Sequence, residues 1–455
     1  MEYNGKKILV VGAARSGLAA ARFLLDSGAH VTLTDTKTFA ALETVVEPLL
    51  ESLIHRKNLV LELGGHRDDA FRNCDLVVVS PGVPLSLEFF ETSRKAGIPV
   101  IAEVELAYRH LKGKIIGITG SNGKTTTTTL VERLLTGAGL RGHAAGNIGT
   151  PLISLVPEST EEDIYAVELS SFQLEAIDQF RPFIASMLNI TPDHMDRYGR
   201  FEDYGAAKQR VFRNQKDSDF AVLNGDDMAT AALAARVQAR PIIFSRLKNA
   251  GFGAFIRNER VIYRDENGET ELFPVSAIKL VGAHNLENVL AACAMAILAG
   301  AAPESFEESV RRFEAVEHRI EWVSEIEGVR YYNDSKATNI DAAIKALEAF
   351  PRNILLIAGG RDKAGDFTVL RPLVRERVKH LVLIGEAAEK IRKALGETVD
   401  MTEASSMQDA VQTCKRIAQP GDVVLLAPAC ASFDMFQDYE VRGRVFKNAV
   451  RSLRH

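Results

Sequence analysis

A chain of 455 residues, 46% hydrophobic and 25% charged, has a globular composition and is too long for one ordinary core, which points to about three domains. Its formal charge of −5 argues against nucleic-acid binding through a bulk positive field, but leaves room for small anionic substrates held by local positive charge. The four scattered cysteines, Cys74, Cys293, Cys414 and Cys430, form neither a C-x-x-C metal pair nor a dense disulfide framework, so reduced thiols are expected. The N-terminal MEYNGKKILVVGAARSG has basic residues before an apolar run, but ILVV is far too short for a signal h-region. No uninterrupted apolar stretch is long enough to span a bilayer. The expectation is a cytoplasmic monomer with no membrane or nucleic-acid partner.

In chain order, KILVV reads as a strand, a glycine turn follows, and LAAARFLLDSG has helical spacing closed by Gly28. VTLTDT, DLVVVS and IPVIAE continue a strand–helix alternation, which implies a parallel sheet covered on both faces. A second block opens with KIIGITG near residue 112 and contains the strands IYAVEL (164–169) and FIASMLNI (183–190). A polar stretch at 214–275 reads as less regular, and NLENVLAACAMAILAG as an apolar helix. A third block starts near Glu317-His318-Arg319 and repeats the β/α pattern through VRYYND, NILLIAGG, HLVLIGE and DVVLLAPA. The fold class is therefore α/β in three domains, 1–104, 105–315 and 316–455.

The first turn, VVGAARSG, has Gly12 and Gly17 of a G-x-G-x-x-G fingerprint, but Ala14 takes the middle position that lets backbone approach a pyrophosphate. Asp35 stands about 20 residues on, where a ribose-binding carboxylate belongs. A nicotinamide site, another nucleotide site and a plain packing turn all remain open on these residues. The second turn, GITGSNGKTTTT (117–128), ends like a phosphate loop, yet Ile118 occupies the position of its first glycine. Context restores the reading: a strand, a glycine loop and a helix aim backbone N–H groups at an anion. Lys124 can reach phosphates and the Thr125 hydroxyl a Mg²⁺ ion. A run of five threonines has poor helix propensity, which suits hydroxyls that meet phosphate. Glu168 closes a strand and Asp193, His194 and Asp196 crowd the loop after another, at the strand ends where such sheets bind ligands. Taken singly, Glu168 also reads as a solvated edge or a cap, Asp193 as a helix cap, and Lys208 as a surface lysine.

GITGSNGKTT, VELSSFQLE, LNITPDHMDRYG, AAKQRVF, VGAHNLENVLAA, VEHRIEWV, YNDSKATN and PACASFDMF occur in this order, and together they resemble the Mur ligase family over almost the whole chain. The shortened loop Gly120-x-x-Gly123-Lys124-Thr125 belongs to the wider ligase superfamily, whereas SSFQLE, DHMDRYG and NDSKATN are similar to the member that takes D-glutamate. The resemblance implies a Rossmann-like UDP-binding domain, a central P-loop ATPase domain and a Rossmann-like amino-acid-binding domain. It implies ATP-driven addition of D-glutamate to UDP-N-acetylmuramoyl-L-alanine through an acyl phosphate, in peptidoglycan precursor synthesis.

The resemblance also assigns residues. Gly120, Ser121, Asn122, Gly123, Lys124, Thr125 and Thr126 would bind ATP, with Asn285, Arg319, Asp334 and Lys336. Lys124, Asn147, His194 and Lys208 would be catalytic. Two Mg²⁺ ions would be held by Thr125, Glu168, His194 and Lys208, the last as a carbamate, which turns a cation into an anionic oxygen donor. Ala13, Ala14, Arg15, Ser16, Asp35, Thr36 and Asn147 would bind the UDP substrate, with SPGVP (80–84) near its sugar. Thr338, Lys363, Ser432 and Tyr439 would hold D-glutamate. Two departures stand out: GGRDKAGD differs around Lys363, and Tyr439 replaces a phenylalanine of some relatives. A superfamily ligase outside the Mur branch would lack the first block. A nicotinamide oxidoreductase or a non-catalytic nucleotide switch would leave most of the later motifs without a role.

Overall fold

The structure, a computed structural model, describes residues 2–52, 56–195, 197–314 and 316–454. It has three sheets, one for each stretch of β/α alternation in the sequence. The first contains β1 (Lys7–Val11), β2 (His30–Asp35), β3 (Leu59–Leu63), β4 (Leu76–Val79) and β5 (Val100–Ala102), all parallel, in the order β3-β2-β1-β4-β5. The central strands β1 and β4 are almost wholly buried, which explains why they read as unbroken apolar runs. The order reverses between β1 and β4, so the crevice for a ligand lies beyond Val11 and Val79.

The second sheet holds β6 (Lys114–Thr119), β7 (Arg141–Gly146), β8 (Asp163–Glu168), β9 (Ile184–Met187), β10 (Phe220–Asn224), β11 (Arg240–Ser245), β12 (Gly253–Arg257), β13 (Arg260–Asp265) and β14 (Gly268–Pro274). Their order is β14-β13-β12-β11-β10-β9-β6-β8-β7. Strands β6 to β12 run parallel and the last two return antiparallel. With β8 on one side of β6 and β9 on the other, the loops after all three emerge on one edge. The helix Ala283–Leu298 is buried from Asn288 through Ala296 and packs with the helix Lys124–Gly137 in the same core.

The stretch 214–275 is not irregular: it supplies β10 to β14, a correction to the sequence reading. Its outer strands are half-exposed, β14 burying only Leu272 and Phe273, so the composition is polar although the backbone is paired.

The third sheet holds β15 (Glu321–Ile326), β16 (Val329–Asn333), β17 (Ile354–Gly359), β18 (Val378–Ile384), β19 (Met401–Glu403) and β20 (Val423–Leu426), ordered β15-β16-β20-β17-β18-β19. Only β15 is antiparallel to its neighbour, so the loops after β16, β17 and β20 share one edge. Among the described residues all four cysteines are free, and no helix is long and apolar enough to cross a membrane.

Candidate functional site

The loop after β6 is the centre of the site. Gly120 and Gly123 have φ of +149° and +84°, and a Cβ on Gly123 would lie 2.2 Å from the Asn288 carboxamide oxygen. Only glycine fits there. The helix that starts at Lys124 has no acidic residue in its first turn, so its open N–H groups and dipole favour an anion at that end. Lys124 Nζ donates to the Gly120 and Ser121 carbonyls at 2.8 Å each, which folds it back over the loop. Burial lowers its pKa, with Glu168 opposing.

The threonine run divides. The Thr125 hydroxyl donates to Glu168 Oε2 at 2.7 Å and accepts from the Arg319 guanidinium at 2.6 Å. Thr126 lines the adjoining cleft. Thr127 and Thr128 are buried with no hydrogen-bond partner for their hydroxyls, so they belong to the core and not to a phosphate, contrary to the sequence reading of the whole run.

Glu168 is neither a solvated edge nor a cap. A capping box between Ser170 and Gln173 starts the helix Ser171–Glu175, leaving the Glu168 carboxylate to turn into the site. It is 2% exposed, and Oε1 accepts from Asn147 Nδ2 at 3.0 Å. Burial pushes its pKa up, but the charges of Lys124 and Arg319 outweigh this and hold it below the usual value. An unbroken chain, Arg319–Thr125–Glu168–Asn147, thus crosses the site.

Lys208, on the helix Phe201–Gln209, is 1% exposed and not a surface lysine. Its Nζ donates to the Gly120 carbonyl at 2.8 Å and lies 4.7 Å from the centre of the Tyr204 ring. Burial, helped by the nearby Lys124 charge, drives its pKa well below the ordinary lysine value. The shift is toward the neutral form, which is the nucleophilic one.

His194 has a left-handed backbone (φ +56°), its amide donates to Asp193 Oδ1 at 2.9 Å, and its ring meets Phe172 edge-on at 5.0 Å. Asp193 is not a helix cap: it accepts from Asn339 Nδ2 at 2.8 Å and lies 3.6 Å from Lys363 Nζ. Burial raises its pKa, but Lys363 and His194 more than compensate, so the carboxylate stays ionised. Asp196 lies outside the described residues.

Asn122, Gly123, Thr126, Asn285, Arg319, Asp334 and Lys336 line one cleft between the second and third sheets. Burial pushes Asp334 up to about 7, and burial together with Arg319 brings Lys336 down to about 7. Lys336 Nζ sits 3.7 Å from the centre of the Tyr439 ring, a cation–π contact joining this cleft to the candidate amino-acid loops. Ser432 is buried beside the 64%-exposed Phe433, and Thr338 follows Lys336 by two residues. Arg319 itself follows His318, whose Nδ1 pairs with Asn333 while Lys447 bridges the flanking Glu317 and Glu321.

A second cavity joins the first two domains. Ala14, Arg15 and Ser16 line it with Ser80, Pro81 and Gly82, and Gly146, Asn147 and Gly149 close the far side. The glycines of the first turn have packing roles: a Cβ on Gly17 would fall 1.8 Å from the Gly12 carbonyl oxygen. Asp35 braces this turn, accepting from the Ala13 amide at 2.8 Å, while Thr36 is exposed; neither lines the cavity.

Sequence reasoning passed over Arg442. It is 1% exposed and donates to the Ser335 hydroxyl and carbonyl and to the Cys430 and Ala431 carbonyls, binding the loops after β16 and β20 together. In YEVRGRVFK it reads as an ordinary helix arginine, and only the tertiary fold reveals it. Asn189, Thr191 and Asp341 were also passed over, because each is an ordinary loop or helix-start residue until its partners on other elements are known.

Residues 6–102 match the family model for the Mur ligase MurD-like N-terminal domain, 118–296 the Mur ligase middle domain, and 318–430 the Mur ligase glutamate ligase domain. The UDP-N-acetylmuramoylalanine--D-glutamate ligase of Koribacter versatilis is 48% identical over 453 residues, covering 100% of this chain and 99% of its own length. The protein of the same description from Acidobacterium capsulatum is 51% identical, covering 99% and 97%. Among solved structures, a pseudomurein peptide ligase type C from Methanothermus fervidus aligns with a TM-score of 0.63 at 16% identity, over 99% of this chain and 100% of that one. The UDP-N-acetylmuramate-alanine ligase MurC from Thermotoga maritima aligns at 0.60 and 17%, over 98% and 100%. These two show the shared fold.

Proposed function

Since the chain belongs to the Mur ligase family, we propose that it joins D-glutamate to UDP-N-acetylmuramoyl-L-alanine with the cleavage of ATP to ADP and phosphate, a step of peptidoglycan precursor synthesis. The observation that carries the reading is the hydrogen-bonded chain Arg319–Thr125–Glu168–Asn147. It starts in the cleft beside the phosphate loop and ends at the cavity lined by Ala14 to Ser16. A nucleotide in the one and a UDP-linked substrate in the other would meet at Thr125 and Glu168.

The reaction needs a carboxylate oxygen to attack the γ-phosphorus, with ADP leaving, and then the D-glutamate amine to attack the acyl carbon, with phosphate leaving. Two anions must first approach each other, so positive charge has to be fixed in advance in a site poor in water. Lys124 and Arg319 supply it from opposite domains, and the phosphate-loop amides orient the nucleotide. Lys336 stands in the cleft with its charge supported by the Tyr439 face. Thr338, Lys363, Ser432 and Tyr439 offer hydroxyl, ammonium and ring contacts to a dicarboxylic amino acid on the shared edge of the third sheet. Asn147 orients the acceptor carboxyl. The first-turn residues Ala13 to Ser16 hold the diphosphate, with Asp35 and Thr36 toward the base.

Thr125 and Glu168 offer the oxygen donors that Mg²⁺ prefers, whereas the His194 imidazole is an unusual partner for it and Lys208 becomes an oxygen donor only as a carbamate. A hydroxyl and a buried ionised carboxylate meet at Thr125 and Glu168, and the His194 ring and the Lys208 amine both lie near the Tyr204 ring, 6.5 Å and 4.7 Å from its centre. We assign Thr125 and Glu168 to hold one ion, and His194 with a carbamylated Lys208 a second; ions held there would supply charge neutralisation of the phosphates. Lys208 suits carbamylation because its burial shifts the amine toward the neutral form, the one that adds CO₂. We place the reaction in the cytoplasm, where ATP is supplied, with the chain acting as a monomer.

The test is phosphate release from ATP with UDP-N-acetylmuramoyl-L-alanine, with and without D-glutamate. Release that requires D-glutamate is expected. Release that ignores it, or that needs meso-diaminopimelate instead, overturns the assignment.

A further inference from the structure

The third sheet reaches the phosphate loop through a set of contacts that the reaction itself does not call for. The helix Ile340–Glu348 begins with Asn339, whose Oδ1 accepts from the Ala342 amide at 2.7 Å as an N-cap. The Nδ2 of the same side chain crosses to Asp193 at 2.8 Å. Inside the first turn of the helix, Asp341 does more. Its Oδ2 accepts from Asn122 Nδ2 of the phosphate loop at 2.6 Å and from the Thr191 hydroxyl at 3.0 Å.

Both donors are fixed from behind. The Asn122 amide donates to Asn189 Oδ1 at 2.9 Å, and Asn189 Nδ2 returns a bond to the Asn122 carbonyl at 3.1 Å. The Thr191 amide donates to the Ser121 hydroxyl at 2.9 Å, which in turn donates to the Thr191 carbonyl at 2.9 Å. The phosphate loop and the loop after β9 therefore form one braced unit, and one carboxylate oxygen from the third domain docks onto it. A charged acceptor taking two hydrogen bonds is stronger than a neutral one, and a capped helix end lets little of that be lost to side-chain motion.

We propose that Asp341 is a positioning residue for the ligase reaction: it latches the amino-acid-binding domain onto the braced phosphate loop, and so sets the distance between bound D-glutamate and the activated carboxyl. It rests on the function proposed above. It acts through Asn122 and Thr191, and although it also lines the cleft assigned to the nucleotide, its effect is read on D-glutamate and on domain docking. Lys363 and Thr338 lie on the domain that the latch holds, so an unlatched domain presents D-glutamate from a more open arrangement. The UDP cavity lies between the first two domains and is not held by this latch.

The experiment compares the wild-type chain with Asp341→Ala, Asp341→Asn and Thr191→Val in steady-state kinetics and small-angle X-ray scattering. Asp341→Ala is expected to raise KM for D-glutamate about 10- to 30-fold, the loss of two charge-assisted hydrogen bonds, with kcat falling less than about 3-fold. KM for the UDP substrate should stay within about 2-fold. The radius of gyration of the ligand-free variant should rise. Asp341→Asn retains an acceptor oxygen but not its charge and should recover about half of both effects, and Thr191→Val should give an intermediate rise in KM. An unchanged KM for D-glutamate together with an unchanged radius of gyration in Asp341→Ala overturns the latch. So does a loss confined to kcat and thermal stability that Asp341→Asn shares. If the wild-type chain itself shows no D-glutamate-dependent phosphate release, the proposed function fails, and the scattering comparison still decides whether Asp341 holds the domains together.

Discussion

Lys208 separates a functional residue from a structural one. Replacing a buried residue ordinarily costs stability, by about 2–5 kcal/mol when a large side chain is truncated. Lys208→Met should not. The methionine fills similar volume, the desolvation penalty of a buried amine disappears, and exchanging a buried polar group for hydrophobic bulk is often neutral or stabilising. The Gly120 carbonyl loses one donor but keeps the other, Lys124 Nζ at 2.8 Å. Stability is therefore expected within about 1 kcal/mol of wild type in urea melts. D-glutamate-dependent phosphate release should nevertheless fall at least about 100-fold, because the variant cannot form the carbamate. Lys208→Ala leaves space for a small carboxylate, and formate or acetate should restore part of its turnover. Activity and stability falling together in Lys208→Met, or an Ala variant indifferent to added carboxylate, would refute the reasoning.

Lys124→Ala should reduce turnover at least about 1,000-fold with little change in thermal stability, checked by phosphate release and calorimetry, because charge neutralisation at the phosphate loop is lost. Glu103 is 1% exposed, its Oε1 accepts only the Ile153 amide at 2.7 Å, Oε2 has no partner, and burial pushes its pKa up to about 7. A carboxyl with a raised folded-state pKa contributes most below its unfolded value near 4.5, and that contribution is lost as pH rises through about 7. Glu103→Gln should therefore gain stability relative to wild type by up to about 3 kcal/mol between pH 5 and pH 8 in urea melts, and an equal difference at both values would count against it. Tyr439→Phe removes only a hydroxyl that donates to Glu440 and keeps the ring under Lys336, so kcat/KM should change less than about 2-fold. Tyr439→Ala should cost about 3- to 30-fold in the same assay.

How much of this was legible in the sequence depended on whether the deciding contact was local. A strand such as β4, buried on both faces from Leu76 to Val79, announces itself as LVVV. The hairpins β12 to β14 do not, because one face meets water and alternation hides among charged residues. The glycine loop was legible despite its altered spacing, since strand, turn and helix lie side by side in the chain. Glu168 was ambiguous because a strand-end glutamate can cap, and only the Ser170–Gln173 box shows that another residue took that role. Lys208 could not be read from its surroundings in sequence: AAKQR looks solvated, and its burial comes from Tyr204 and from Gly120, 88 positions away. The assignment of Lys208 came from resemblance, and its burial from the fold.

Some of the contacts that escaped the sequence, such as Arg442 with Ser335, join distant loops of one domain, and others join separate domains. Arg319 meets Thr125, Asn339 meets Asp193, and Asp341 meets Asn122 and Thr191, each across more than 140 positions of chain. No periodicity or propensity encodes such pairs, because each partner obeys the local rules of its own element. Asn339 illustrates this, since a capping role alone accounts for its presence in sequence. A reaction that joins three substrates and must keep water from an acyl phosphate gains from placing its charges this way. Lys124 and Glu168 are held by the central domain alone, whereas Arg319 reaches Thr125 only while the third domain is docked. On the proposed function, the full set of charges around the phosphates would be complete only in the docked arrangement, which would tie phosphate activation to the domain proposed to bring the amine.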